Sequence, residues 1–310
     1  MSPVDTTEPD PSAIANIPKP PFVRLPHPSR MFATRAERFR TLAEGHDLKP
    51  YLLFLADLCA AQAAIQDGNI HGPLPQPEPL DEAVLARAKE HNIPPLDRGH
   101  FTADPAFEAT FSRLIAAAEQ MTMPAVAQAA LLRVKAADAA GREAMVQNVL
   151  AEAIPVEALA EHVFVAAALQ VHFARLAERL PGREMESVGD GVCPSCGGAP
   201  ASTLLVSWPP PAGARYCSCS LCGTMWNHLR SKCTLCGSTS KIAFQEIEGT
   251  GGTIKAETCE DCHGYMKMMN QQNDRFLDPI ADDVATLGLD LLVRELGFRR
   301  GGVNPFLIGY

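Results

Sequence analysis

At 310 residues the chain has room for two or three domains, and 46% hydrophobic against 20% charged residues lets it bury a sizeable core. A formal net charge of −9 excludes a chain-wide basic surface of the kind that neutralises nucleic-acid phosphates. Met1 to Phe22 is acidic and proline-rich, without the basic and apolar regions of a signal peptide, so a cytoplasmic protein with reduced thiols is expected.

Residues 1–28 read as a flexible N-terminal segment and residues 29–185 as an alanine- and leucine-rich helical domain. The first helix carries Arg30, Arg35, Arg38 and Arg40, interrupted by Glu37, and reads as a solvated basic face. Tyr51 to Ile65 is the most apolar stretch; it is too short to span a bilayer and contains Asp57, so a buried core helix holding Cys59 is expected. Gly68 to Pro79 is a proline-rich loop. Asp104 and Pro105 open a further helix, with Phe107, Phe111, Leu114, Ile115 and Ala118 on one face. Pro155 begins another, striped by Leu169, Phe173, Leu176 and Leu180. Pro181 to Gly191 is a linker.

Beyond the linker, eight of the ten cysteines form the pairs Cys193/Cys196, Cys219/Cys222, Cys233/Cys236 and Cys259/Cys262. The last two pairs repeat the first two as C-x2-C-x22-C-x2-C, offset by 40 residues. A single Cys-x-x-Cys suits redox chemistry; four in tandem suit two ions, each enclosed by four thiolates. Each repeat is too small to bury enough apolar surface alone, and a structural zinc contributes roughly 10–16 kcal/mol of folding energy. Equal spacing leaves sequential and interleaved pairing both open. The intervening segments favour the sequential one, because Ser202–Trp208, the turn Pro209–Gly213 and Ala214–Cys219 read as a hairpin that returns the second pair to the first. Lys241–Glu248, Gly249–Gly252 and Thr253–Cys259 repeat that plan.

Site 1 is thus expected from Cys193, Cys196, Cys219 and Cys222, and site 2 from Cys233, Cys236, Cys259 and Cys262. Four-sulfur tetrahedra accept zinc and mononuclear iron alike. Gly197, Gly223 and Gly237 follow a pair where the turn needs positive φ; His263 stands in that place in the fourth. These knuckles resemble rubredoxin-type and zinc-ribbon folds. Residues 190–230 form the first module and 231–310 the second, the latter with a C-terminal helix and tail. Loss of Cys196 or Cys236 should then unfold one module. The C-terminal helix starts at Asp278 and Pro279, shows Ile280, Val284, Leu287 and Leu291 on one face and ends near Gly297, before an apolar tail from Val303 to Tyr310 that reads as packing onto the protein's own core. The fold class is α+β multidomain: a helical domain, two tandem four-cysteine metal modules and a C-terminal helix.

Nucleophile elbow, Walker A, His-Glu-x-x-His and dinucleotide signatures are missing, and eight cysteines leave no open coordination position, so an enzyme is not expected. His162 and His172 read as ordinary histidines, His228 and His263 as bystanders beside filled sites, and Cys217 as a small buried residue on a return strand. Trp208, Trp226 and Tyr216 support a small ribbon. Between Cys193 and Cys262, Arg215, Arg230, Lys232, Lys241 and Lys255 stand against Glu246, Glu248, Glu257, Glu260 and Asp261, which argues against nucleic-acid binding. The profile is that of a protein that binds another protein.

Cys193-Pro194-x-Cys196-Gly197, Arg215-Tyr216, Cys219-x-x-Cys222, Trp226 and Lys232-Cys233-x-x-Cys236 resemble the formate dehydrogenase accessory protein family, FdhE. So do Ile254-Lys255-Ala256-Glu257-x-Cys259-x-Asp261-Cys262, Tyr265, Lys267, Ala281-Asp282-Asp283, Leu287, Leu289-Asp290 and Asn304-Pro305-Phe306-Leu307. Arg35-Ala36-Glu37-Arg38, Leu42-Ala43, Tyr51-Leu52 and Pro94-Pro95-Leu96-Asp97 match more loosely. The resemblance implies a cytoplasmic maturation factor that contacts the catalytic subunit of formate dehydrogenase, with rubredoxin-like sites and iron or zinc in the eight cysteines. The alternatives are a redox or sulfur carrier using iron sites, with Cys217 nearby, and a nucleic-acid-binding ribbon protein.

Overall fold

Seven helices among the described residues build the first half: α1 (Pro28–Leu42), α2 (Lys49–Gln66), α3 (Glu82–His91), α4 (Pro105–Ala118), α5 (Ala125–Ala136), α6 (Ala139–Leu150) and α7 (Leu159–Ala177). The computed structural model describes residues 19–70, 72–208 and 212–307. The expected cap of α4 is present: the Asp104 carboxylate accepts the Phe107 N–H at 2.6 Å, with Pro105 in the first turn. Its apolar stripe from Phe107 to Ala118 is buried.

α7 departs from the single stripe read in the sequence. A 3₁₀ turn, Val156–Ala158, follows Pro155, so the α-helix begins only at Leu159. Thereafter every residue from Glu161 to Arg175 is buried, because α2, α4, α5 and α6 all pack on it. A helix surrounded on every side has no polar face to leave a period in its sequence. By length and composition Val156–Ala177 could cross a membrane, yet most of it is buried inside this protein, as expected of a core helix. α2 is buried in the same core, with Cys59 fully enclosed.

His172 of α7 is 1% exposed and ringed by Phe101, Phe107 and Phe173. Burial drives its pKa down to about 4, with Asp104, 3.9 Å away, opposing and Arg175 reinforcing. A folded value below the ordinary 6.5 means that the unfolded chain binds the extra proton first. Stability is therefore full above about pH 6.5 and falls by roughly 3 kcal/mol as pH drops toward 4. His172→Phe should flatten that slope; urea titrations of the two proteins between pH 7 and 4 check it, and parallel slopes would sink the idea.

The second half is one sheet. β2 (Pro200–Leu205), β3 (Arg215–Cys219) and β4 (Met225–Asn227) belong to the first cysteine repeat, and β5 (Ile242–Gln245), β6 (Ile254–Cys259) and β7 (Gly264–Asn270) to the second. Both hairpins stand where expected, except that Pro209–Pro211 of the first turn lie outside the described residues. β4 and β7 carry too few strand-favouring residues to be read in advance, and β7 makes the largest difference. It pairs with β2 in parallel, Thr203 opposite Met268 and Leu205 opposite Asn270, so the two ribbons fuse head to tail. With β1 (Val23–Arg24) on the edge of β4, the order is β1-β4-β3-β2-β7-β6-β5, and β8 (Arg299–Arg300) pairs with β7.

Val23 and Arg24 lie in the segment expected to be flexible; residues 1–18 of it are outside the described residues. β4 offers an unpaired edge there, which β1 fills, and the Tyr216 hydroxyl donates to the Pro21 carbonyl at 2.7 Å. Arg24 stacks 3.5 Å over the ring of Trp208.

The C-terminal helix is broken into α8 (Ala281–Ala285) and α9 (Leu287–Glu295). Lys267 supplies the cause, donating to the carbonyl and hydroxyl of Thr286, both at 3.0 Å. The break turns α9, so Leu291 is 44% exposed instead of joining the expected face, and Leu289, Asp290 and Val293 are buried. Gly297, at φ 88°, follows the helix end as expected. Phe306 and Leu307 are buried, and Tyr51 donates to the Phe306 carbonyl at 2.6 Å; Ile308–Tyr310 lie outside the described residues.

The arginine face of α1 is also not solvated throughout. Arg35 is 4% exposed and bonds Asp278 at 3.2 Å, while Arg38 grips Asp282 and Asp274 at 2.6 and 2.8 Å. Asp278 and Asp282 bracket the start of α8, so α1 and α8 are riveted together; of these four arginines only Arg30 and Arg40 remain exposed.

Candidate metal centres

The first and third cysteine pairs sit on tight turns closed by the same two backbone bonds. Gly197 N–H donates to the Cys193 carbonyl at 2.9 Å and Cys193 N–H to Gly198 at 2.9 Å; in the third knuckle Gly237 and Ser238 repeat this with Cys233 at 3.1 and 2.7 Å. Gly197, Gly223 and Gly237 take φ of 75°, 74° and 75°, and His263 holds the equivalent conformation at 52° despite its side chain. Such turns aim both sulfurs of a pair at one point.

The hairpins then bring pairs together sequentially. The sulfurs of Cys193, Cys196, Cys219 and Cys222 lie within 4.8 Å of one another, as do those of Cys233, Cys236, Cys259 and Cys262. Across the first cluster Cys193 and Cys222 are 3.6 Å apart and Cys196 and Cys219 3.4 Å; across the second, Cys233 and Cys262 are 4.0 Å and Cys236 and Cys259 3.8 Å. Four thiolates about 2.3 Å from one ion would be spaced by about 3.8 Å, so both clusters fit a tetrahedral occupant. None of the eight is in a disulfide. Burial pushes the Cys193 thiol well above its ordinary value and Cys233 up to about 12. A cation at the centre is what would let such buried sulfurs ionise. The spacing and chemistry suit zinc and mononuclear iron equally.

The other candidates stay outside both clusters. His228 bonds the Leu229 carbonyl at 3.0 Å through Nδ1, and His263 is exposed beside Phe298. Cys217 is fully buried on β3 opposite Trp226, the small buried residue expected there.

Sequence reasoning missed what holds the clusters in place. The first is mounted on the helices: Leu96 N–H donates to the Ser195 carbonyl at 2.9 Å, and Ala199 N–H to Glu152 at 3.2 Å. Gln62 of α2 donates to Gln170 of α7 at 3.1 Å, which donates to the Ser220 carbonyl at 2.8 Å. The second is tied to the first by Arg215 on β3. Its guanidinium, 1% exposed, pairs with Glu257 of β6 at 2.7 Å and donates to the Thr234 hydroxyl at 2.7 Å, next to Cys233. A charged residue within a short strand was the available signal: Arg215 opens β3, and Glu257 and Lys267 stand inside β6 and β7.

Sequence models of three FdhE regions match this chain: the N-terminal region over residues 20–190, the central domain over 192–230 and the C-terminal domain over 231–307. The chain is similar to a protein FdhE homolog of Rhizobium meliloti, 43% identical over 99% of both chains, and to one of Edwardsiella ictaluri, 36% identical over 91% of this chain and 90% of the other. Its structure is similar to the crystal structure of the FdhE protein from Pseudomonas aeruginosa, with a TM-score of 0.81 and 32% identity, covering 94% of this chain and 99% of that one.

Proposed function

The chain belongs to the FdhE family, known as formate dehydrogenase accessory proteins, and from that membership we propose that it acts in the cytoplasm by binding the catalytic subunit of formate dehydrogenase during maturation. The observation that carries this reading is the closure of both clusters. Each gathers four cysteine sulfurs, which is the full complement of a tetrahedral ion and leaves no position for a substrate. Cys193, Cys196, Cys219 and Cys222 would hold one ion and Cys233, Cys236, Cys259 and Cys262 the other. The bound ions would supply cross-links between knuckles, not a reaction, which is why we read the protein as a binding factor without catalysis of its own.

A docking face is available where the ribbon meets the helices. A groove of about 440 Å³ runs between α3 and the linker, lined by Leu85, Ile93, Pro95, Met185, Val188 and Pro194. Ile93 is 41% exposed in it, an apolar side chain of the kind that anchors an interface. Affinity purification of the tagged chain from anaerobic cells, followed by mass spectrometry, should recover a formate dehydrogenase catalytic subunit. Ile93→Asp should reduce that recovery roughly tenfold or more while leaving metal content unchanged. Undiminished recovery would remove the groove from the interface; a pull-down without the subunit would remove the binding reading.

The carrier alternative retains one observation in its favour, the solvent exposure of Cys236 in the second cluster. Cys217, fully buried, offers no accessible thiol for sulfur transfer. A red, redox-titratable protein would support electron carriage; a colourless one would exclude it.

A further inference from the structure

The two clusters share one spacing but not one environment. In the first, Cys193, Cys196, Cys219 and Cys222 are 0–2% exposed and part of the main core beneath the helices. The Cys219 sulfur accepts the N–H groups of Leu221 and Cys222 at 3.4 Å, and the Cys222 sulfur lies 3.2 Å from the Thr224 hydroxyl, itself bonded to Ser195. In the second, Cys233 and Cys259 are buried, Cys262 is half-buried and Cys236 is exposed. Cys236 is followed by exposed Thr239, Ser240 and Lys241, and it sits beside β5, the outer strand of the sheet.

The second knuckle pair also has support that does not pass through its cysteines. β7 pairs with β2 over Met268–Asn270 and is locked to α8 and α9 by Lys267. Thr234 is held by Arg215, and Leu235 fills the space over Gly264 and Gly301 where side chains would otherwise stand. Three sides of the module would therefore keep their places if the cysteines were released.

Resting on the reading that both clusters hold a metal, we propose that they have different duties: the second is an exchangeable site for a soft divalent cation, and the first a permanent one. Cys236 is the point of entry. Its exposed sulfur can leave the ion as the thiolate while an incoming donor atom takes the vacated position, and Cys233, Cys259 and Cys262 keep theirs. At the first cluster an incoming donor would have to displace the segments packed on it: the loop at Leu96, Glu152 in the turn after α6 and Gln170 of α7, which bond Ser195, Ala199 and Ser220. Exchange there requires global opening; at the second it requires only local opening, which is the cheaper and faster event. The protein would thus carry a metal-responsive knuckle on an otherwise fixed body.

The test uses the purified full chain with the metal it carries. Native mass spectrometry gives the starting stoichiometry; excess 4-(2-pyridylazo)resorcinol then extracts metal while iodoacetamide labelling is mapped by peptide mass spectrometry. One equivalent should leave roughly tenfold or more faster than the other. Cys236 and then Cys262 should be labelled before any first-cluster cysteine, and circular dichroism should hold steady until the second equivalent goes. Zinc added back after the first loss should restore two equivalents. Equal release rates, or earlier labelling of Cys193, Cys196, Cys219 or Cys222, would overturn the division of duties and leave the metal reading standing. Freshly purified protein with no metal in either cluster would overturn both. Cys236→Ser gives an independent check: it should be folded and hold one equivalent, and an unfolded variant would count against exchange without collapse.

Discussion

Replacing Cys196 by serine should unfold the protein, not one module of it. Cys196 is 1% exposed, its sulfur lies 3.4 Å from that of Cys219, and it belongs to the same core that holds α2 and α7. With an ion held as proposed, the substitution removes one of its four ligands and leaves three buried thiols without a cation. A structural ion is worth roughly 10–16 kcal/mol, the same size as the roughly 5–15 kcal/mol that holds a typical native protein together. The loss would propagate, because Ser195, Ala199 and Ser220 in this knuckle pair are the anchor points for the helical half. Thermal denaturation and metal analysis of Cys196→Ser beside Cys236→Ser measure this directly. The first should yield insoluble or unfolded chain; a Cys196→Ser protein melting within a few degrees of the parent would refute the embedded role given to this site.

Lys267→Met should be the most destabilising change away from the cysteines. Lys267 is 1% exposed and forms a buried quartet with Asp283, Asp290 and Arg300, two cations against two carboxylates. Its ammonium also donates to the Asp283 carbonyl at 2.8 Å and to the carbonyl and hydroxyl of Thr286. Burial pushes Asp283 toward the protonated form, but Arg300 and Lys267 outweigh it and hold the carboxyl below its usual range. Removing Lys267 leaves one carboxylate uncompensated out of water, at a cost of roughly 3–5 kcal/mol. Adding Asp290→Asn should recover part of it by restoring charge balance, although Tyr265 keeps its 2.7 Å bond only to the amide oxygen. Urea melts of single and double variants decide this; a double variant no more stable than Lys267→Met would mean that charge balance is not the cause. The depressed carboxyl also fixes the pH sign. Stability from Asp283 is present above the ordinary carboxylate range and is lost as pH falls through its lower folded value.

How much of this could be read in advance follows from the range of the interactions. The pairs at two-residue spacing and the hairpins between them are local, so the sequential clusters and the glycine-bearing knuckles were visible as patterns. The caps at Asp104 and Gly297 were visible for the same reason. α7 lost its stripe because its burial is complete, and α9 lost Leu291 because Lys267, on a strand, breaks the helix before it. The arginines of α1 looked solvated because their partners are remote: Arg35 and Asp278 are separated by 243 positions.

The sequence by itself determined the eight thiols, their grouping by spacing, the helical character of the first half and the family. Those properties rest on residue type and short separation, which a linear pattern records. Only the tertiary structure decided that the two ribbons are one sheet, that one cluster is sealed beneath helices while the other opens to solvent, and that buried charges fasten the halves together. Burial and charge pairing depend on which distant segments meet, and no local run of residues encodes its own neighbours.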